Sequence, residues 1–183
     1  MTTLAFLREG RHNPTAIYFN HGTKHGIEAQ TFIQDHCSKH QIPLQLGQVG
    51  RPKSKEESWE EYWRQERYQF LCSLKMTIAT AHHLDDVIET WIMGWMHNGQ
   101  PKFIRHKLYN IVRPLLLASR AQLREWAENH AVPFIHDPSN DDVNHPRNRT
   151  RHKIMPELLQ VNPGLHRVVK RQLTEYLRNT CTI

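Results

Sequence analysis

The stretch Ala79-Thr-Ala-His-His-Leu-Asp-Asp-Val-Ile-Glu-Thr90 sets two histidines beside three carboxylates. Side chains of these types, so closely spaced, can bind an ammonium, move a proton or hold a cation. The apolar run Met76 to Ala81 in front of them reads as a buried strand. From Leu84 the apolar residues fall at Leu84, Val87, Ile88, Trp91, Ile92 and Trp95, the spacing of one helical face. Asp85, Asp86, Glu89 and Thr90 then share the other face. A strand that ends in histidines and opens a helix with a carboxylate stripe is how α/β enzymes build a crevice at strand ends. The plainer alternative is that two acids in the first turn only complement the helix dipole.

The elements that must position this stretch follow a regular rhythm. Met1 to about Arg11 reads as the body of a helix with no cap at its start. Thr15 to Asn20 reads as a strand, with His21-Gly22 turning off it. A helix from Gly26 shows one face at Ala29, Phe32, Ile33, His36 and Cys37, and Ile42 to Val49 reads as the next strand. Gly50 to Lys55 is a basic loop. Glu56 to Leu71 is an amphipathic helix with Trp59, Tyr62, Trp63 and Phe70 on one side and Arg64 and Arg67 toward the flank. Asn98 to Lys107 is a polar loop, and Tyr109 to Leu116 a strand that Pro114 places at an edge or an end. Ser119-Arg-Ala-Gln122 is a capping box opening a helix. Val132 to Ile135 is short and strand-like. An acidic, turn-rich loop His136–Asp142 runs into Pro146–Lys153, with basic side chains at Arg147, Arg149, Arg151 and Lys153. Asn162-Pro163 caps a last helix. Strands alternating with helices predict a parallel α/β sheet.

Composition narrows the class. Across 183 residues, apolar content is 38% and charged content 23%, which suits a chain that buries a core. The formal net charge of +6 favours a polyanionic partner, nucleic acid ahead of membrane. Cys37, Cys72 and Cys181 are scattered, with no Cys-x-x-Cys, so no zinc ribbon or redox pair is signalled. A reducing, cytoplasmic compartment is expected. No apolar run approaches the roughly 20 residues that span a membrane.

Five motifs together resemble one family. Ala81-His-His-Leu-Asp-Asp-Val-Ile-Glu-Thr90 resembles the second signature of the PP-loop ATP pyrophosphatases and, within them, of the tRNA(Ile)-lysidine synthetases. Phe19-Asn-His-Gly22 resembles that family's Val-Asn-His-Gly at the end of its second strand. Trp63-Arg-Gln-Glu-Arg-Tyr68 resembles its Ala-Arg-x-x-Arg-Tyr helix. Val112-Arg-Pro-Leu-Leu116 followed by Ser119-Arg120 is similar to its Arg-Pro-Leu-Leu segment. Asp137-Pro-Ser-Asn140 with Arg147-Asn148 and Arg151-His152 is similar to its Asp-Pro-Ser-Asn…Arg-Asn-x-x-Arg-His block. Their order and spacing carry the resemblance along nearly the whole chain.

The resemblance implies a doubly wound, mostly parallel α/β sheet of the adenine nucleotide alpha hydrolase type, Rossmann-like, over residues 1–160, with a helical extension over 161–183. It implies that ATP activates the C2 carbonyl of the wobble cytidine in an isoleucine tRNA, and that free lysine then displaces AMP to give lysidine. ATP and Mg²⁺ are the implied cofactors. Asp86 is placed to bind lysine's ammonium and accept a proton. Asp85 and Glu89 either hold Mg²⁺ or structure the site, so no metal-ligand set is assigned. His83 touches phosphate, positions the base or is a core histidine. Arg64 offsets charge at the α-phosphate. His21, Gly22, Thr90 and Arg113 complete the substrate-binding set. Arg147 and Arg151 grip tRNA phosphates or stack on a splayed base. Arg149, Lys153, Asn140 and Asn148 join them, although Asp137, Ser139 and Asn140 equally suit a simple Asx-turn.

The sequence also departs from the family. None of the eight glycines stands in the Ser-Gly-Gly-x-x-Asp-Ser loop that holds ATP. Met1 to Leu7 resembles the helix that follows this loop, so the first, central strand and the loop are expected to be missing. Thr15–Asn20 and Met76–Ala81 would then have open edges. A second polypeptide supplying both, a truncated start, or a relic that binds tRNA without catalysis are the alternatives. tRNA thiolation fits less well, because Cys-x-x-Cys is absent. Thr15–Asn20, Pro43–Val49, Met76–Ala81 and Asn110–Leu115 are expected to be parallel strands, with His21, His83 and Asp86 meeting at one edge.

Overall fold

The structure is a computed structural model that describes residues 1–180. Cys181 lies outside the described residues. The chain forms two compact units. The first comprises Met1–Ile78 with Tyr109–Ile111 and Pro133–Ile135. The second comprises Ala79–Leu108, Val112–Val132 and the chain from His136 onward.

The first unit runs α1 (Thr2–Glu9), β1 (Ala16–Asn20), α2 (Lys24–Lys39), β2 (Leu44–Gln48) and α3 (Trp59–Ser73). The Thr23 hydroxyl accepts the Gly26 N–H to start α2, and Ser58 accepts the Glu61 N–H to start α3. β1 and β2 pair in parallel with Ala16 opposite Leu44. Successive β1 side chains point to opposite faces. Ala16 packs with Cys37, Ile42 and Leu4, whereas Ile17 packs with Leu71, Tyr68 and Phe70. Helices therefore cover both sides of this sheet, as expected. A Cβ on Gly47 would stand 2.6 Å from the Phe70 ring, so the glycine lets α3 lie close on β2.

Two further short strands are β3 (Ile78–Ala79) and β5 (Ile111–Val112). With β4 (Lys107–Leu108) they form a three-stranded sheet in the order β3-β5-β4. The Ile78 N–H donates to the Asn110 carbonyl and the Thr80 N–H to that of Val112, a parallel pairing. β4 and β5 are joined by Tyr109 and Asn110, with Tyr109 in the left-handed region at φ 55°. These strands correct the sequence reading. Met76–Ala81 and Asn110–Leu115 give only two paired residues each, and β4 begins inside the expected loop. The pairing with β4 runs one bond beyond β5, from the Arg113 N–H to the His106 carbonyl, and the next residue, Pro114, has no N–H. Val132–Ile135 forms no strand. Pro133 within it offers no donor.

In the second unit, α4 (Leu84–Asn98) ends at Gly99, left-handed at φ 62°. α5 (Arg120–Asn129) opens with the expected Ser119–Gln122 capping box. Pro146–Val161 is continuously helical: α6 (Pro146–Arg149), one wide π turn (Thr150–Ile154) and α7 (Met155–Val161). α8 (Leu165–Thr180) follows Asn162, whose side chain accepts the Gly164 N–H. Leu84, Val87, Ile88 and Ile92 of α4 share one core with Leu116, Met155, and Val169 and Leu173 of α8. No helix among the described residues is long and apolar enough to cross a membrane.

Candidate active site

α4 forms as the helical spacing from Leu84 predicts, and its first turn is closed by its own polar residues. The His83 N–H donates to Asp86 Oδ2 at 2.9 Å, and the Asp86 N–H donates back to His83 Nδ1 at 3.4 Å. This reciprocal cap satisfies two N–H groups that would otherwise lack partners. The same Nδ1 also lies 3.4 Å from Asp86 Oδ2, and the tautomer in which it accepts the Asp86 N–H carries its proton on Nε2. Thr90 donates its hydroxyl to the Asp86 carbonyl at 2.8 Å, one turn back along α4.

Two arginines close over the acids. Arg147 donates through Nε to Glu89 Oε2 at 2.8 Å and through Nη2 to Asp86 Oδ1 at 3.2 Å. Arg151 donates through Nε to Glu89 Oε1 at 2.7 Å and through Nη2 to Oε2 at 3.0 Å, the two-pronged pairing that best fits guanidinium to carboxylate. Glu89 is only 1% exposed, so these contacts are what make a carboxylate tolerable there. The Asp86 and Glu89 carboxylates also hold Arg151 in its charged form against burial, which opposes it.

Asp85 faces another way. Its Oδ2 accepts the Arg120 N–H at the start of α5 at 2.7 Å, and its Oδ1 lies 3.1 Å from Nε2 of His166 on α8. Burial works to raise its carboxyl, but the Arg120 N–H and His166 outweigh that and hold it below the usual aspartate range. One residue thus ties the start of α4 to the starts of α5 and α8.

The remaining residues singled out in the sequence fall as follows. Arg113 is buried and donates to the Arg105 carbonyl at 2.6 Å, which pins the loop before β4. Asp137 accepts the Ser139 N–H in an Asx-turn. The buried Asn148 amide donates to the carbonyls of Ser139 and Asp142, so it holds that loop. The Asn140 carbonyl lies 2.8 Å from His152 Nε2. Arg149 and Lys153 are exposed on the outer side of the helix that turns Arg147 and Arg151 inward.

His21, Gly22 and Arg64 belong to the first unit, whereas His83 and Asp86 belong to the second. Gly22 is left-handed at φ 77° and donates its N–H to Asn20 Oδ1. His21 packs edge-on to Phe19 and 5.7 Å from the Trp63 ring, with Nδ1 buried and without a hydrogen-bond partner. Burial, reinforced by the Arg67 charge, lowers it to about 4. Arg67 is therefore the α3 arginine felt by His21. Arg64 is exposed, with its guanidinium 5.6 Å from the Tyr68 ring. The sequence reading missed His166 and the Arg120 N–H, although the Ser119 capping box had already marked the latter as a helix start.

The implied cofactors can be tested against these groups. Both oxygens of Asp85, Asp86 and Glu89 are within reach of N–H donors, and no described cluster of three or more acidic, histidine or cysteine side chains suits a metal. This arrangement does not fit Mg²⁺. A triphosphate needs converging backbone N–H groups at a helix start. The described residues offer none in a glycine loop, and Met1 caps α1 with no side-chain bond. They do not fit the triphosphate of ATP, so no step is derived through either group.

Comparison with known proteins agrees with this architecture. The PP-loop domain model matches residues 1–158. The tRNA(Ile)-lysidine synthase of Thermotoga sp. is 30% identical over 179 residues, covering 90% of this chain and 43% of that protein. Those of Staphylococcus aureus and Persephonella marina are 31% and 32% identical over 166 and 160 residues, each covering 81% of this chain. The aligned parts are 38% and 35% of those proteins, so the chain spans well under half the length of these relatives. The α/β architecture with its parallel pairing, and a model match over most of the 183 residues, give one assignment: the chain belongs to the PP-loop domain family.

Proposed function

We propose that this chain forms much of the catalytic domain of a tRNA-modifying ligase that joins lysine to the wobble cytidine of an isoleucine tRNA in an ATP-dependent reaction. The similarity to tRNA(Ile)-lysidine synthases supports the reaction class. The observation that carries it is the paired cluster Asp86–Glu89–Arg147–Arg151 at the start of α4. Lysine's ammonium needs a carboxylate, and Asp86 Oδ1 is the oxygen shared with the arginine best able to leave. Arg147 is 39% exposed, whereas Arg151 is 16% exposed and held twice by Glu89. Lysine entering at Asp86 competes only with the longer of Arg147's two bonds, the 3.2 Å contact to Asp86, while Glu89 keeps both arginines and the floor of the site stays fixed. With Nδ1 accepting the Asp86 N–H, His83 offers its Nε2–H to the base or a phosphate oxygen.

The phosphate-binding loop is assigned to a polypeptide segment outside these 183 residues, either continuous with them or separate, acting in the cytoplasm. The test is incorporation of labelled lysine into an isoleucine tRNA transcript, with calorimetry on ATP. Each is done with the chain alone and with a polypeptide carrying a strand and Ser-Gly-Gly-x-x-Asp-Ser. Incorporation and tight ATP binding are expected only with the added segment. tRNA binding without incorporation in either mixture overturns the ligase reading in favour of a tRNA-binding protein.

A further inference from the structure

α8 carries two opposed faces. Val169 and Leu173 are fully buried against α4, while Arg167, Lys170 and Arg171 are exposed on the other side. Steps of three and four residues put Arg167, Lys170, Arg171 and Arg178 in one stripe. Against these four cations α8 has one acid, Glu175, on the flank, giving a net +3, half the chain's formal +6. Among the described residues, no ion pair with a carboxylate is seen for Arg167, Lys170 or Arg171. The stripe also has a fixed origin. His166, the residue before Arg167, lies 3.1 Å from Asp85 in the first turn of α4, beside the carboxylates of the candidate site. At about 1.5 Å per residue the stripe extends roughly 16 Å from that anchor along the helix.

We infer that the exposed face of α8 is a phosphate track that holds the RNA backbone leading away from the reacting base. This rests on the tRNA reading. A solvated helix face needs both signs of charge to stay neutral, and this one is nearly all positive. Cations spaced along a helix neutralise successive phosphates, so they supply affinity without reading sequence. Arg147 and Arg151 are turned onto Glu89, whereas the cations of this face, like Arg149 and Lys153, are exposed.

The experiment measures the affinity of the whole chain for an isoleucine tRNA transcript across a salt series. The triple variant Arg167→Ala, Lys170→Ala, Arg171→Ala is expected to flatten the slope of log affinity against log salt by about 2–3. Its melting temperature should stay unchanged, because the three side chains face solvent. The converse variant, Glu175→Lys, should steepen the slope. An unrelated tRNA transcript should respond in the same way. An unchanged slope in the triple variant overturns the proposal. So does a loss seen only on vesicles of anionic lipid, which would make the face a membrane contact. A flattened slope without lysine incorporation leaves the track standing and removes the ligase reading. Incorporation with an unchanged slope does the reverse.

Discussion

Arg151 grips both oxygens of Glu89, at 2.7 and 3.0 Å, from 62 residues away in the chain. Glu89 receives a second guanidinium from Arg147, so its single charge faces two cations, and Asp86 supplies the other negative charge. The cluster is neutral as a whole, which is the condition for keeping it buried.

Removing one member should therefore cost more than removing it together with its partner. Glu89→Ala leaves two arginines without their main partner, and a loss of about 3–5 kcal/mol is expected in urea denaturation. Replacing Glu89 and Arg151 together by leucine or methionine, which leaves Arg147 paired with Asp86, should recover much of that stability. A single variant as stable as the parent would show that the cluster adds nothing to the fold.

The basic residues of the Pro146–Lys153 segment should separate by face. Arg151→Ala is expected to lower the unfolding midpoint through Glu89. Arg149→Ala and Lys153→Ala should leave the midpoint in place and each reduce the salt slope of tRNA binding by about 1. Equal effects of all three on both measurements would contradict the inward and outward assignment.

Two groups should shape stability on the acid side. His21 is lowered from 6.5 to about 4, so between those values the unfolded chain binds a proton that the folded chain refuses. Stability then rises with pH across that window and falls as pH drops from 6.5 toward 4. Asp85 is also lowered, so its contribution is present above the ordinary aspartate value and is lost at still lower pH, as its folded carboxyl protonates. His21→Gln should flatten the upper part of the profile and Asp85→Asn the lower part. Denaturation midpoints at intervals of pH in both variants check this.

His83 acts as the N-cap of α4 through Nδ1. His83→Ala should cost about 1 kcal/mol, whereas His83→Asn, which keeps an acceptor at the same reach, should lose only a few tenths. Lysine incorporation in the complemented assembly should fall for both if Nε2 also donates to substrate. A His83→Asn variant with full activity would restrict His83 to capping.

The elements that the sequence determined by itself are those set by local rules. α4 was legible because its apolar residues repeat at helical spacing, α5 because Ser119 and Gln122 form a capping box, and β1 because an apolar run ends at His21-Gly22. That Asp86 and Glu89 stand off the apolar stripe of α4 followed from the same periodicity, whereas Asp85 turns to the Arg120 N–H and His166. What only the tertiary structure decided depends on distant partners. Arg147, Arg149, Arg151 and Lys153 look alike in sequence. The helical winding of Pro146–Val161 and the packing of that segment on α4 turn only the first and third toward Glu89. His166 meets Asp85 across 81 residues of chain because Val169 and Leu173 seat α8 in the same core as α4. β3 and β5 are shorter than their apolar runs, and beyond Arg113 the chain meets Pro114, which has no N–H with which to extend the pairing. Local propensity fixes which residues can share a face; the buried core fixes which faces meet.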